Sequence, residues 1–222
     1  MLTKAQEKLI RSLHRKKGRR ESGLCLIEGK NLIDAADDRV QFIFTRTDTN
    51  DFDKLVTTQS PQGIAGVALS PSFTLEQIRE KKTIVILDGV QDPGNVGTIM
   101  RACLGFGASL ILIESADPTN AKVIRSSVGT IFTVPWIEMK RAAAAAFLSK
   151  ADREIFRVEN REGAILHTEQ TTKPAILIVG SEGSGIQLTT EAPSLKVDHD
   201  AELESLNVAQ AVTVVLASRR SI

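Results

Sequence analysis

A chain of 222 residues, 42% hydrophobic and 25% charged with a net charge of +1, reads as a soluble globular protein of one large or two smaller domains with a real core. No apolar run approaches the ~18 residues of a membrane span, and the N-terminus has charge without an apolar core segment; neither insertion nor secretion is indicated, no membrane partner is expected, and the expected location is cytoplasmic. Cys25, inside L-C-L-I, and Cys103, inside a helical pattern, fit neither a disulfide framework nor metal-ligand spacing and read as buried thiols.

The near-neutral total hides an asymmetry at the start of the chain. Lys4, Lys8, Arg11, Arg15, Lys16, Lys17, Arg19 and Arg20 stand against Glu7 alone, a net of +7 that leaves −6 for the rest of a chain totalling +1. Leu2, Ala5, Leu9 and Leu13 recur at helical spacing, predicting an amphipathic helix with a basic outer face. Such a face suits a phosphate backbone, with Arg11, Arg15, Lys16, Lys17, Arg19 and Arg20 as candidate RNA contacts; a plainly solvated helix and an Arg-rich targeting peptide are the other readings. The strand-like G-L-C-L-I-E-G, a short helix from Asn31 and the strand F-I-F-T complete a small mixed module over 1–75. L-S-P-S-F-T, with Pro71, reads as the linker to a second unit over 82–222.

In that second unit the apolar runs T-I-V-I-L-D, L-I-L-I-E, I-F-T-V-P and A-I-L-I-V-G alternate with helical patterns such as M-K-R-A-A-A-A-A-F-L. Short apolar runs between helices predict an α/β fold, a mostly parallel sheet with helices on both faces and ligands at the carboxyl edge of the strands. Three clusters fall at that edge or at a helix start. After Leu87 comes D-G-V-Q-D-P-G-N-V-G-T-I-M-R, where a helix is expected to begin near Asn95 as its N-cap. Val96, Ile99, Met100, Cys103 and Leu104 mark its apolar face. Gly94, Gly97, Arg101 and Gly105 share another face, cleared either for a ligand or for a neighbouring element with Arg101 at the rim.

The second cluster, G-S-E-G-S-G from Gly180, follows A-I-L-I-V and frees backbone N–H groups toward a ligand, while Glu182 would repel a bare phosphate. Its glycine order is neither the dinucleotide fingerprint nor a P-loop, which sets aside a Rossmann-type nucleotide enzyme. The third, E-S-L-N-V-A-Q-A-V, opens a helix with Ser205 as the plausible cap and Val208, Val212 and Val215 inward; Asn207 in the first turn is either a ligand contact or a solvated amide.

Taken together, D-P-G-N-V-G-T-I-M-R-A, V-G-S-E-G-S-G-I and E-S-L-N-V, with K-V-I-R-S-S-V-G-T-I-F-T-V-P between the first two, resemble in order, spacing and content the motifs of the SpoU-type family in the SPOUT superfamily of RNA methyltransferases. The resemblance covers 82–222, and K-L-I-R-S-L-H-R-K-K-G-R-R-E-S-G-L-C-L-I-E-G-K-N-L-I is similar to the start of the family's RNA-binding extension. It implies methyl transfer from S-adenosylmethionine to a ribose 2′-hydroxyl of rRNA or tRNA, a C-terminal trefoil knot, a homodimer with the active site near the interface, and no metal. By the same resemblance Asn95 and Arg101 match the first-motif pair, Glu182 the second-motif carboxylate, and Ser205 and Asn207 the third-motif polar pair. Gly180, Val197 and Leu206 match cofactor-holding positions. Val197-Asp198-His199 stands where Ile-Pro-Met is common, and Ala209 where serine is common. With no tyrosine, Phe and Trp136 are the large stacking surfaces left for bases. An RNA-binding relative without catalysis is the alternative reading.

Overall fold

The computed structural model describes residues 1–169, 173–200 and 202–220. The basic start forms two helices rather than one, α1 (Lys4–Leu13) and α2 (Lys16–Ser22), because Arg15 takes an extended backbone between them. Thr3 caps α1 by accepting from the Gln6 backbone. The buried positions are Ile10 and Leu13, packed on Phe44, Phe52 and Leu55, while Ala5 is exposed. Gly18 lets α2 cross close to α1: a Cβ there would lie 2.1 Å from the Ser12 carbonyl oxygen.

β1 (Leu24–Glu28), α3 (Lys30–Ala36), β2 (Val40–Thr45), α4 (Phe52–Leu55) and β3 (Ile64–Leu69) follow, and the strands form an antiparallel sheet of order β1-β3-β2. The central strand β3 escapes sequence reading because I-A-G-V-A-L is poor in β-branched and aromatic residues. It is nevertheless buried, and Gly66 fits where a Cβ would come within 3.2 Å of the Phe42 carbonyl oxygen.

α5 (Leu75–Arg79), β4 (Thr83–Asp88), α6 (Pro93–Phe106), β5 (Ser109–Ile113), α7 (Ala121–Ser126), β6 (Trp136–Glu138), α8 (Arg141–Leu148), β7 (Glu154–Val158), β8 (Ile165–Leu166), β9 (Ala175–Gly180), β10 (Ser194–Lys196) and α9 (Val208–Arg220) build the larger part of the molecule. Its seven strands pair in parallel in the order β6-β5-β4-β9-β7-β10-β8. The period of two along β4, β5 and β9 sorts their side chains by face. Ile84, Ile86, Ile111, Ile113, Ile176 and Ile178 meet α5 and α8 through Ile78, Ala144, Phe147 and Leu148. Val85, Leu87, Leu110, Leu112, Leu177 and Val179 meet α6 and α9 through Val96, Ile99, Met100, Cys103, Val212 and Val215. Each such side chain contributes about 1.5–3 kcal/mol by leaving water, so a sheet covered on both faces is the stable outcome of these runs.

Two expectations fail here. I-F-T-V-P is not a strand: Thr130–Phe132 closes a 3₁₀ turn after Gly129 (φ +81), and pairing with β5 begins only past Pro135. Trp136 is not a surface for bases either, being 9% exposed with its Nε1 donating to the Ile131 carbonyl at 3.0 Å. The thiols are buried as expected, and loss of water pushes both Cys25 and Cys103 up to about 12, which leaves them inert.

The two sheets are joined by charge as well as by the shared core. Glu28, buried, accepts from the Thr57 backbone at 2.6 Å and from Arg125 of α7. Gly129 fits against α3, where a Cβ would lie 2.4 Å from the Ala35 Cβ. Arg19, 5% exposed, donates to Asp117 at 2.6 Å and to the Leu13 carbonyl at 2.8 Å. Burial alone would raise the Asp117 carboxyl, but hydrogen bonds from Thr119 and Arg19 outweigh it and hold the group below its ordinary value. A depressed carboxyl stabilises the fold above its unfolded pKa of about 3.9 and stops doing so as pH falls through the folded value. Acid unfolding followed by far-UV circular dichroism is therefore expected to show less loss of stability below about pH 4 in Asp117→Asn than in the parent chain; an identical acid limb would refute this role.

Candidate functional site

The site lies where β4 and β9 end and α9 begins. Asp92, not Asn95, caps α6: its Oδ1 accepts from the Asn95 backbone at 2.9 Å, and Pro93 occupies the first helical position. Asn95 is thereby one turn inside the helix with its side chain free to point across. After β9, residues 181–185 fold on themselves, with Gly185 N–H donating to the Ser181 carbonyl at 3.0 Å and Gly185 at φ +62. Gly180 is needed for that closure, since a Cβ there would lie 2.1 Å from the Gly185 carbonyl carbon. The loop presents Glu182 toward Asn95.

Asn207, not Ser205, caps α9: its Oδ1 accepts from the backbones of Ala209 at 2.9 Å and Gln210 at 3.4 Å. Capping fixes the amide orientation, so Nδ2 must face the other way. There it donates to Asn95 Oδ1 at 3.0 Å and Glu182 Oε1 at 3.3 Å, while Asn95 Nδ2 donates to the same Glu182 oxygen at 3.3 Å. Three segments far apart in the chain thus close one hydrogen-bonded triangle. The Asn207 side chain therefore caps the helix with its oxygen and joins Asn95 and Glu182 with its nitrogen.

Two cavities meet at Glu182. One, of about 210 Å³, is lined by Gly180, Val197, Ser205 and Leu206 together with Val158, Val179 and Leu195, and has Glu182 and His199 at polar positions. Apolar walls with the carboxylates of Glu159 and Glu182 among the lining suit a molecule combining a flat base with a cationic centre. The other, of about 560 Å³, is polar and shares Ser181, Glu182 and Val208 with the first. Among the described residues no group of three or more His, Cys, Asp or Glu side chains could hold a metal.

Arg101 stands apart from this centre. It is six residues beyond Asn95, about 9 Å along the helix axis, exposed, outside both cavities, and without an ion pair or side-chain hydrogen bond among the described residues. The glycine face splits: Gly97 is packed on α7, where a Cβ would lie 2.0 Å from Ser126 Oγ, while Thr98, Arg101 and Gly105 are exposed. Leu104, expected in the core, is 43% exposed beside them.

Of the basic candidates, Arg19 is taken up in its buried pair with Asp117 and is removed from the RNA-facing set. Lys16 and Arg20 reach Glu138 of β6 at 3.1 and 2.9 Å, Arg11 reaches Asp51 at 3.2 Å, and Lys17 reaches Glu21 at 3.7 Å. Exposed pairs of this kind contribute about 0–1 kcal/mol and exchange readily for phosphate. Arg15 is exposed with no ion pair among the described residues.

Sequence reading missed Asp88. Fully buried at the end of β4, it accepts from the backbones of Gln187 and Leu188 at 2.6 Å each and from Arg141 at 2.8 Å. Arg141 also reaches Glu114 at 2.8 Å, and the two carboxylates, Asp88 first, push its guanidinium above its ordinary value. The carboxylate therefore ties the second-motif loop to the central strand. The terminal aspartate of T-I-V-I-L-D was the available signal.

A parallel sheet with two adjoining cavities at its carboxyl edge is the arrangement of ligand-binding α/β proteins. Residues 82–217 match the model of the SpoU rRNA methylase family, and the chain belongs to that family; it is an RNA methyltransferase. It is 27% identical to a Bacillus subtilis 23S rRNA (guanosine(2553)-2′-O)-methyltransferase, over 93% of this chain and 92% of that protein. A TrmH-family putative RNA methyltransferase from Porphyromonas gingivalis superposes with a TM-score of 0.84 at 27% identity, covering 100% of this chain and 99% of the other. An AdoMet-bound rRNA methyltransferase from Sinorhizobium meliloti shares the fold, with a TM-score of 0.84 at 24% identity, over 100% and 96% of the two chains.

Proposed function

We propose that the Asn95, Glu182 and Asn207 triangle is the reaction centre of this enzyme, with the smaller cavity as its donor site. The enzyme methylates a ribose 2′-hydroxyl of RNA and uses S-adenosylmethionine, whose sulfonium supplies an electrophilic methyl group. Gly180, Val197 and Leu206 would hold the donor by backbone and apolar contact, with Ser205 at the same wall. Val197-Asp198-His199 brings an imidazole to this wall in place of the family's common Ile-Pro-Met.

Both amides of the triangle donate to Glu182 Oε1, which orients the carboxylate. A ribose hydroxyl is a weak nucleophile at neutral pH and needs its developing charge stabilised. Arg101 lies outside both cavities, and its role would be to grip an RNA phosphate with its planar fork and from there stabilise that oxygen. Positioning of donor and acceptor supplies the rest of the rate.

The module over 1–75 is the RNA-binding part, with Arg11, Arg15, Lys16, Lys17 and Arg20 on the phosphate backbone of rRNA or tRNA. The active form is a cytoplasmic homodimer with the reaction centre near the subunit interface. The C-terminal chain is threaded as a trefoil knot, a reading supported by β10 lying between β7 and β8 while α9 returns onto α6. No helix among the described residues is long and apolar enough to cross a membrane.

The observation that carries the reading is the triangle itself, which joins all three motifs around Glu182, a residue that lines both cavities. Calorimetry with S-adenosylmethionine tests it: the chain should bind the donor, and Glu182→Ala should weaken that binding. An RNA-only relative would give no heat with the donor while retaining RNA.

A further inference from the structure

We propose that the cavity of about 560 Å³ beside the triangle is the subsite for the acceptor nucleotide's own base, a flipped guanine. The inference rests on the reading of the triangle as the reaction centre. The volume lies within the roughly 300–1,000 Å³ usual for ligand sites. Because the cavity shares Ser181, Glu182 and Val208 with the donor site, a base seated in it places its ribose at the common wall, where the methyl must arrive.

The charge of the lining argues against a phosphate: Arg141 is its one cation, against Asp88, Asp92, Glu114 and Glu182. An uncharged group rich in hydrogen-bonding edges fits that balance, and in a nucleotide this is the base. Arg141 is oriented for such a ligand, since Asp88 and Glu114 clamp its terminal nitrogens at 2.8 Å each while a third of the side chain stays exposed at the cavity, leaving the second hydrogen of each terminal nitrogen for the base. Glu114 stands beside it at φ +46, a left-handed conformation uncommon outside glycine, with its carbonyl accepting from the side chain of Gln91, another lining residue. Backbone held in this region by its surroundings is characteristic of ligand clamps.

A guanidinium next to a carboxylate selects a base that presents paired acceptors and adjacent donors. Guanine does so with O6 and N7, the commonest arginine target, and with its N1–H and N2–H₂ for Glu114. A stacked base cannot reach such a cavity, so the target nucleotide is extruded or already single-stranded.

The full chain, saturated with S-adenosylhomocysteine, is titrated with guanosine, adenosine, cytidine and uridine by saturation-transfer NMR, which reads weak binding. Guanosine should bind best, and Glu114→Gln, exposed at the cavity mouth, should weaken it about tenfold or more with the S-adenosylhomocysteine affinity unchanged. Arg141→Lys, which keeps a cation for Asp88, should act in the same direction. No signal from any nucleoside, a preference for a pyrimidine, or guanosine binding unmoved in Glu114→Gln overturns the subsite. Failure of S-adenosylhomocysteine itself to bind overturns the reaction-centre reading instead.

Discussion

Replacing Arg101 with alanine is expected to reduce methyl transfer by about 10²–10³-fold, the loss typical of removing one donor that stabilises developing negative charge. The same change should leave the fold intact. Arg101 is exposed and makes no ion pair or side-chain hydrogen bond among the described residues, and surface substitutions of that kind usually shift stability by less than about 0.5 kcal/mol. Single-turnover methylation of RNA, thermal unfolding and sedimentation of Arg101→Ala separate the effects: rate falls, melting temperature and assembly stay. Turnover near the parent value would remove Arg101 from the mechanism. An unfolded or dissociated variant would mean that the residue is structural, contrary to its exposure. Arg101→Lys sharpens the test, because a lysine can neutralise a phosphate but lacks the planar fork of a guanidinium and should recover only part of the rate.

The parts of this molecule that were legible in the sequence are those in which a local pattern decides the outcome. The strands T-I-V-I-L-D, L-I-L-I-E and A-I-L-I-V-G are continuous apolar runs that only a doubly covered parallel sheet can bury, and they form β4, β5 and β9. Asn207 stood out as an amide in a first helical turn and Glu182 by its glycine-rich setting, but the resemblance to the SpoU-type motifs is what named Asn95, Glu182 and Asn207 together. Their mutual contact at 3.0–3.3 Å could not be derived from spacing. What escaped depends on partners far along the chain. Asn95 is not a cap because Asp92 precedes it in the capping geometry, and Arg19 is not an RNA contact because Asp117, nearly a hundred residues later, meets it in the interface between the sheets. β7 and β10 are short and mix charge with apolar residues, so only pairing with β9 and with each other makes them strands. Asp88 looks like any polar strand end until the second-motif loop is seen to return to it.

That return makes Asp88→Ala the substitution expected to destabilise most. The carboxylate is fully buried and serves two backbone N–H groups and a guanidinium, so alanine leaves both amides of Gln187 and Leu188 unpaired and Arg141 facing a void. Each unsatisfied buried group costs about 1–3 kcal/mol, and breaking a buried ion pair by removing one partner costs about 3–5 kcal/mol; the contributions overlap, which sets the expected loss near ~3–5 kcal/mol in urea unfolding. Function should fail sooner than the fold. The 181–185 loop contributes Glu182 to the triangle and lines both cavities, and apart from its internal bonds it is held by Asn95 and Asn207 at Glu182 and by Gln187 at the Ser184 carbonyl. Without Asp88 nothing polar fixes its exit to β4. In a folded preparation of Asp88→Ala at low temperature, S-adenosylmethionine binding is therefore expected to be lost, whereas Arg101→Ala retains it. Equal donor affinity in both variants would show that the loop holds its shape unaided. A stability loss under about 1 kcal/mol would show that water replaces the carboxylate. Because Asp88 touches no proposed substrate atom, it is a positioning residue, and the chemistry of Glu182 depends on an anchor at the end of the central strand.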